Sequence, residues 1–157
     1  FFTVYGPWGR PDMALFKFTR NILSGEPIDV YNQGNMFRDF TYVEDLATAV
    51  AHLIQVPPTA PSQRAAPIAN DSLSPVAPYR IVNIGNSNKV RLMDFIEELE
   101  TRLGKKAVYN FMDMQAGDVP ATWASNELLK SLTGFCPNTS YGEGIDAFVS
   151  WYQSYYT

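Results

Sequence analysis

Two arginines stand where a folded chain can turn them to use. Arg10 follows the turn Gly6-Pro7-Trp8-Gly9 at the end of an apolar run, and Arg38 lies on a short extended stretch just ahead of a helix signal. A guanidinium is a permanent cation whose planar fork meets a carboxylate with two parallel hydrogen bonds. The spacing equally fits a solvated arginine ahead of a helix cap at 10 and an exposed edge-strand arginine at 38. Other reactive side chains offer less. His52 falls inside a helical pattern and Cys136 has no thiol partner. A dyad of these two is a weaker reading than core or surface positions. No His, Cys, Asp or Glu group has metal-ligand spacing.

Two chemical signatures are missing from these 157 residues. Dinucleotide folds place Gly-x-Gly-x-x-Gly between a strand and a helix. Gly6-x-x-Gly9 and Gly142-x-Gly144 come nearest, neither completes the pattern, and both read as turns. No tyrosine stands four residues before any lysine, so a Tyr-x-x-x-Lys acid/base pair is absent as well. The balance of 12 Lys and Arg against 16 Asp and Glu, a net charge of −4, argues against a nucleic-acid partner. A lone cysteine excludes an internal disulfide and fits a reducing compartment. No apolar run reaches membrane-span length. No secretion signal is expected, and the setting expected is cytoplasmic.

Positioning falls to the surrounding elements. Apolar residues make up 46% of the chain, enough for one domain with a modest core. Residues 1–5 read as a strand. The chain opens in mid-strand, on Phe1-Phe2-Thr3-Val4-Tyr5, so an N-terminal part of a longer protein is expected before it. Asp12 reads as the cap of a helix over 13–24, with Leu15, Phe18 and Ile22 inward and Gly25-Glu26-Pro27 as its stop. Residues 28–31 form a short strand, 32–35 a turn, and 37–40 the returning strand. Thr41-x-x-Glu44 reads as a capping box for a helix over 44–55 with Leu46, Val50 and Leu53 inward. Residues 56–78, rich in Pro, Ala and Ser, read as a surface loop or disordered insert. Residues 79–84 return to a strand pattern. The stripe Leu92, Ile96, Leu99, Leu103 predicts a helix stopped by Gly104. A strand over 107–112, a short helix over 126–133, and a second capping box at Ser140-x-x-Glu143 before an aromatic-rich helix complete the reading.

The ordered set of motifs resembles one family. Phe2-Thr3-Val4-Tyr5-Gly6-Pro7 with Arg10, then Arg38-Asp39-Phe40-Thr41-Tyr42-Val43-Glu44-Asp45, then Asn83-Ile84-Gly85-Asn86, then Gly117-Asp118-Val119, closing on Trp151-Tyr152, is similar to the C-terminal half of the extended short-chain dehydrogenases/reductases. Within them it resembles the UDP-glucuronate 4-epimerases. The resemblance implies an α/β fold: the last strands of a Rossmann-type domain plus a smaller α+β substrate-binding part. It implies NAD, held mainly by an N-terminal half that also carries the catalytic Tyr and Lys, so the missing signatures follow from truncation. It implies a homodimeric parent, no membrane partner, and a nucleotide-sugar substrate bound through Thr3, Arg10, Tyr31, Arg38 and Asp118.

Each role is an expectation of the resemblance. Thr3 stands where most relatives carry asparagine, and together with Arg10 it resembles the glucuronate-specific branch, whose sugar bears a carboxylate. Arg38 would meet the diphosphate, Tyr31 would border uracil, and Asp118 would lie near the ribose and diphosphate. Gln115 stands close to where many relatives carry a second arginine. Trp8 would shield the sugar pocket or cover the core, and Trp151, Tyr152, Tyr155 and Tyr156 form an aromatic stripe. Two rival readings are an epimerase or dehydratase of a neutral nucleotide sugar, and a non-catalytic binding or structural fragment.

Overall fold

The computed structural model, which describes residues 1–60 and 68–156, is built around one strand. β3 (Phe37–Tyr42) pairs in parallel with β1 (Thr3–Tyr5), antiparallel with β4 (Lys89–Arg91) and in parallel with the two-residue β6 (Ala121–Thr122). A separate parallel pair joins β2 (Pro27–Val30) to β5 (Val108–Phe111). Helix α1 (Ala14–Ser24) leads from the first sheet to the second, and α3 (Leu92–Leu103) does the same from β4 to β5. Helix α2 (Val43–Ile54) leaves β3 directly, α4 (Glu127–Thr133) packs beside α2, and α5 (Tyr141–Tyr156) lies on α3. Among the described residues no helix is long and apolar enough to cross a membrane.

The main core lies between the sheets and the three helices α1, α3 and α5. Ile22, Ile28, Val30, Phe95, Ile96, Leu99, Ile145 and Phe148 are almost wholly buried in it. Burying such side chains contributes roughly 1.5–3 kcal/mol each. Phe40 and Phe95 stack at its centre with ring centroids 3.9 Å apart. The apolar stripes read from the sequence for α1 and α3 face this core, and Gly25 and Gly104 end the helices in the left-handed conformation. The Ser140–Glu143 capping box forms. Glu143 accepts from the Ser140 N–H at 3.0 Å, and its own N–H donates to the Ser140 hydroxyl at 3.3 Å.

Several expectations fail for identifiable reasons. Asp12 does not cap α1: the capping position falls on Met13, and the Asp12 carboxylate pairs with Arg10 instead. The Thr41–Glu44 box does not form, because pairing with β1 keeps Thr41 in the sheet opposite Val4 and α2 starts only at Val43. Val50 is exposed, and Ala49 takes the buried position on α2. β3 does not return along β2. Asn32, Gln33 and Gly34 all adopt positive φ and divert the chain into the other sheet. Gly34 is needed twice over, since a Cβ there would lie 2.6 Å from the Met93 sulfur.

No strand forms over residues 79–84, and the ladder begins only at β4. Local polar bonds claim that stretch: Arg80 pairs with Asp71 at 2.8 Å, and the Ile81 N–H donates to the Ser72 hydroxyl at 3.0 Å. Val82 and Ile84 pack with Leu46, Leu53, Ala49 and Leu129 in a small second core. Residues 56–60 and 68–78 form neither helix nor strand, while the centre of the expected loop lies outside the described residues.

Candidate nucleotide-sugar cleft

The side chains of alternate residues on β3 point to opposite faces, and the two faces do different jobs. Arg38 and Phe40 face a cleft of about 510 Å³, joined by Thr3, whose backbone pairs opposite Phe40. Asp39 and Thr41 face the other way and are fully buried.

Arg38 is fixed on the cleft floor by three hydrogen bonds. Its Nη1 donates to the backbone carbonyls of Phe37 at 2.8 Å and Val119 at 3.0 Å, and its Nη2 donates to the Asp118 carboxylate at 2.9 Å. Asp118 is set by the turn it closes, where Gly117 takes φ +85° and the Asp118 N–H donates to the Gln115 carbonyl. Gln115 itself lines a neighbouring shallow hollow and not the cleft. Tyr31, half-buried in the short 3₁₀ turn after β2, lines both spaces and marks their junction.

Asp39 explains why Arg38 sits on so firm a strand. Its buried carboxylate accepts the N–H groups of Asn86 at 3.0 Å, Ser87 at 3.1 Å and Ala124 at 3.3 Å. Gly85 is required beside it, because a Cβ there would come 2.6 Å from the carboxylate. Asp45, in the first turn of α2 and partly buried, likewise accepts from the N–H groups of Asn138 and Thr139. The motif Arg38 to Asp45 therefore combines one half-buried cation with two backbone-binding carboxylates, Asp39 fully buried and Asp45 partly so.

Three acids and three cations line the cleft. Each acid has a partner: Asp12 pairs with Arg10, Asp29 accepts from Asn110 at 2.7 Å, and Asp118 holds Arg38. Among the described residues no carboxylate is in ion-pair contact with Lys17 or Arg20, and Arg20 donates only to Asn21. Sequence reasoning missed these two. Their signal is a pair of cations three apart, on the polar edge of a helix that follows the Arg10 turn.

Four of the expected site residues, Thr3, Tyr31, Arg38 and Asp118, thus share the cleft. Arg10 does not line it. Its exposed guanidinium forms a bidentate pair with Asp12, at 3.0 and 2.7 Å, which holds the Asp12 carboxyl below its usual range. Tyr5, in the same motif, is a core residue. Burial first, and then the nearby Tyr42, Asp45 and Glu143, push its hydroxyl far above the ordinary tyrosine value. His52 stacks on Phe135 at 5.3 Å, in keeping with a packing position.

This α/β frame has known counterparts. Residues 1–85 match the NAD dependent epimerase/dehydratase family, and the chain belongs to it. It is 52% identical over 156 residues to a probable UDP-glucuronate 4-epimerase of Rhizobium meliloti (strain 1021), covering 99% of this chain and 46% of the relative. A solved UDP-glucuronic acid 4-epimerase from Bacillus cereus, in complex with UDP-glucuronic acid and NAD, is similar at TM-score 0.78 and 27% identity, over 98% of this chain and 44% of that one. MoeE5 in complex with UDP-glucose and NAD gives a TM-score of 0.81 at 27% identity, over 99% of this chain and 46% of that one. The chain spans about half the length of the relatives it matches.

Among the described residues no left-handed glycine opens a helix as a dinucleotide phosphate loop does. The glycine that ends β1, Gly6, is closed in by Val43 and Tyr42, with only 2.7 Å between a built Cβ and the valine. The left-handed glycines Gly25, Gly104 and Gly134 end helices, whereas a phosphate loop opens one.

Proposed function

We propose that these residues form the substrate-binding part of an NAD-dependent enzyme that inverts C4 of UDP-glucuronate to UDP-galacturonate through a transient 4-keto sugar. One observation carries the binding role: Arg38 is fixed on the cleft floor facing a space that Lys17 and Arg20 also line without carboxylate partners. Such a cleft favours a dianionic linker, and a diphosphate supplies one. Tyr31 offers a ring at the junction of the two hollows for a flat base, and Thr3 offers a hydroxyl at the sugar end. The uronate reading is supported by the named activity of the 52% identical relative and by Arg10, whose ion-pair partner Asp12 lines the cleft. There Arg10 would exchange Asp12 for the sugar carboxylate. A 4-keto uronate is a β-keto acid prone to lose CO2, and a bidentate clamp that fixes the carboxylate would oppose that loss. The redox step belongs to the cofactor half, outside these residues, and the chain by itself is expected to be inactive.

A neutral sugar is the second reading. It is favoured by one specific feature, the Arg10–Asp12 pair that leaves Arg10 outside the cleft. The test uses the full-length protein with NAD and either UDP-glucuronate or UDP-glucose, followed by NMR of the sugar. A galacturonate product from the first substrate alone supports the uronate reading. Epimerisation of UDP-glucose alone would replace it by the neutral one. Turnover by residues 1–157 alone would overturn the division of labour. The homodimer expected of the full-length protein is tested by its mass in solution.

A further inference from the structure

Trp8 ties the turn that precedes Arg10 to the last helix of the chain. Its indole is 72% exposed, yet its ring centroid lies 5.3 Å from that of Trp151 and 5.2 Å from that of Tyr155. Those two rings are themselves stacked, 5.9 Å apart at 21°. Beneath them Trp151 packs on Phe16 and Phe148 in the core. The support for Trp8 therefore runs back to the interior of the protein. Its backbone takes φ +61°, a conformation that non-glycine residues adopt only where surrounding contacts hold them.

Arg10 sits at the joint of two short turns. One closes through the Gly9 N–H on the Gly6 carbonyl, and the next through the Met13 N–H on the Arg10 carbonyl. Among the described residues its side chain hydrogen-bonds only to the Asp12 carboxylate and the Met13 sulfur, both exposed. Nothing on its own side chain anchors it to the core. On the N-terminal side its turn is held at two points: Gly9 lies close to the buried Phe148, and the Trp8 ring, two residues away, rests on Trp151 and Tyr155.

We infer that Trp151 and Tyr155 are positioning residues for Arg10. By seating Trp8 they fix the double turn, so that the guanidinium is held beside Asp12, which lines the cleft, and not spread over many orientations. A cation already held in place loses less conformational freedom on meeting an anion. The last helix thereby sets the preference for a sugar that carries a carboxylate. This inference rests on the proposed reading in which Arg10 meets that carboxylate.

The test compares Tyr155→Ala, Tyr155→Phe, Trp8→Gly and Arg10→Ala in the full-length enzyme. Tyr155 is exposed, so its loss leaves the core intact, and Trp8→Gly removes the ring while suiting the backbone. Three quantities are read: hydrogen exchange of the Gly9 and Met13 amides, KM for UDP-glucuronate, and inhibition by UDP. Tyr155→Ala and Trp8→Gly are expected to speed exchange about tenfold and raise KM about fivefold, with UDP inhibition unchanged and Tyr155→Phe close to wild type. Unchanged exchange, or a parallel weakening of UDP inhibition, would overturn the inference. A raised KM in Arg10→Ala but not in Tyr155→Ala would overturn it while the carboxylate reading stands. If Arg10→Ala leaves KM unchanged, the carboxylate reading itself fails and takes the inference with it.

Discussion

Arg38 and Asp118 stand 80 residues apart in the chain and meet at 2.9 Å on the floor of the cleft. The pair joins the central strand to the loop ahead of β6. It also holds the guanidinium in one orientation, with side chains only 18% and 33% exposed. Arg38→Lys keeps the charge and loses the fork. UDP affinity of the full-length protein, measured by calorimetry, is expected to fall about tenfold. Asp118→Ala is expected to weaken UDP binding too, at a stability cost below about 1 kcal/mol. Tighter binding in Asp118→Ala would mean that the carboxylate competes with the ligand for Arg38.

Lys17 and Arg20 line the same cleft as Arg38. Both are exposed helix residues, so Lys17→Ala and Arg20→Ala should leave folding unchanged. Each is expected to weaken UDP severalfold, by an amount that shrinks as salt rises. Calorimetry at two ionic strengths checks this. A salt-independent affinity in both variants would place the diphosphate elsewhere.

Gly85 and Asp39 make a stability prediction that is separate from binding. Gly85→Ala pushes a methyl to 2.6 Å from the buried carboxylate, and the strand cannot yield without loosening three N–H bonds. A loss of roughly 2–4 kcal/mol is expected in urea unfolding of the full-length protein. A loss below about 0.5 kcal/mol would show that the loop gives way freely.

Glu100 governs an acid-sensitive contact far from the cleft. It is buried, and it accepts from Lys106 at 2.6 Å, the Ala107 N–H at 2.9 Å and the Tyr109 hydroxyl at 2.7 Å. Burial alone would raise its carboxyl, but those three bonds outweigh burial and hold it below the usual value. Folding therefore gains from the ionised form. The gain is complete above the unfolded carboxyl's range and is lost as pH falls through the lower folded value. The Tm is expected to drop on acidification through about pH 4. Glu100→Gln should show a lower Tm at neutral pH and a shallower acid limb. An unchanged acid limb would exclude Glu100 as its source.

The Ser140–Glu143 box makes the simplest case. Ser140→Ala removes a hydroxyl that the Glu143 N–H uses at the start of α5. A Tm lower by a few degrees is expected by calorimetry. No change would mean that packing of α5 on α3 alone holds the helix end.

What the chain declares by itself is local. The stripes of α1 and α3 and the glycines that stop them are visible because helical period and left-handed φ depend on neighbouring residues only. The Ser140 box is visible for the same reason, and so are the ordered motifs that mark the family. Tertiary structure decided the rest. Thr41-x-x-Glu44 reads as well as Ser140-x-x-Glu143, yet β1, at the start of the chain, claims Thr41 for the sheet through Val4. The run over 79–84 has strand composition, but a side chain nine residues away takes its backbone N–H. Arg38 and Asp118 can each be singled out in the sequence, but not their pairing, nor the alternation that sends Arg38 to the cleft and Asp39 to the frame. Lys17 and Arg20 gain a role only because the fold brings them into the cleft that Arg38 lines. Period and turn chemistry are written in residues a few places apart, whereas a charge gains its role only from what the folded chain brings within a few ångströms of it.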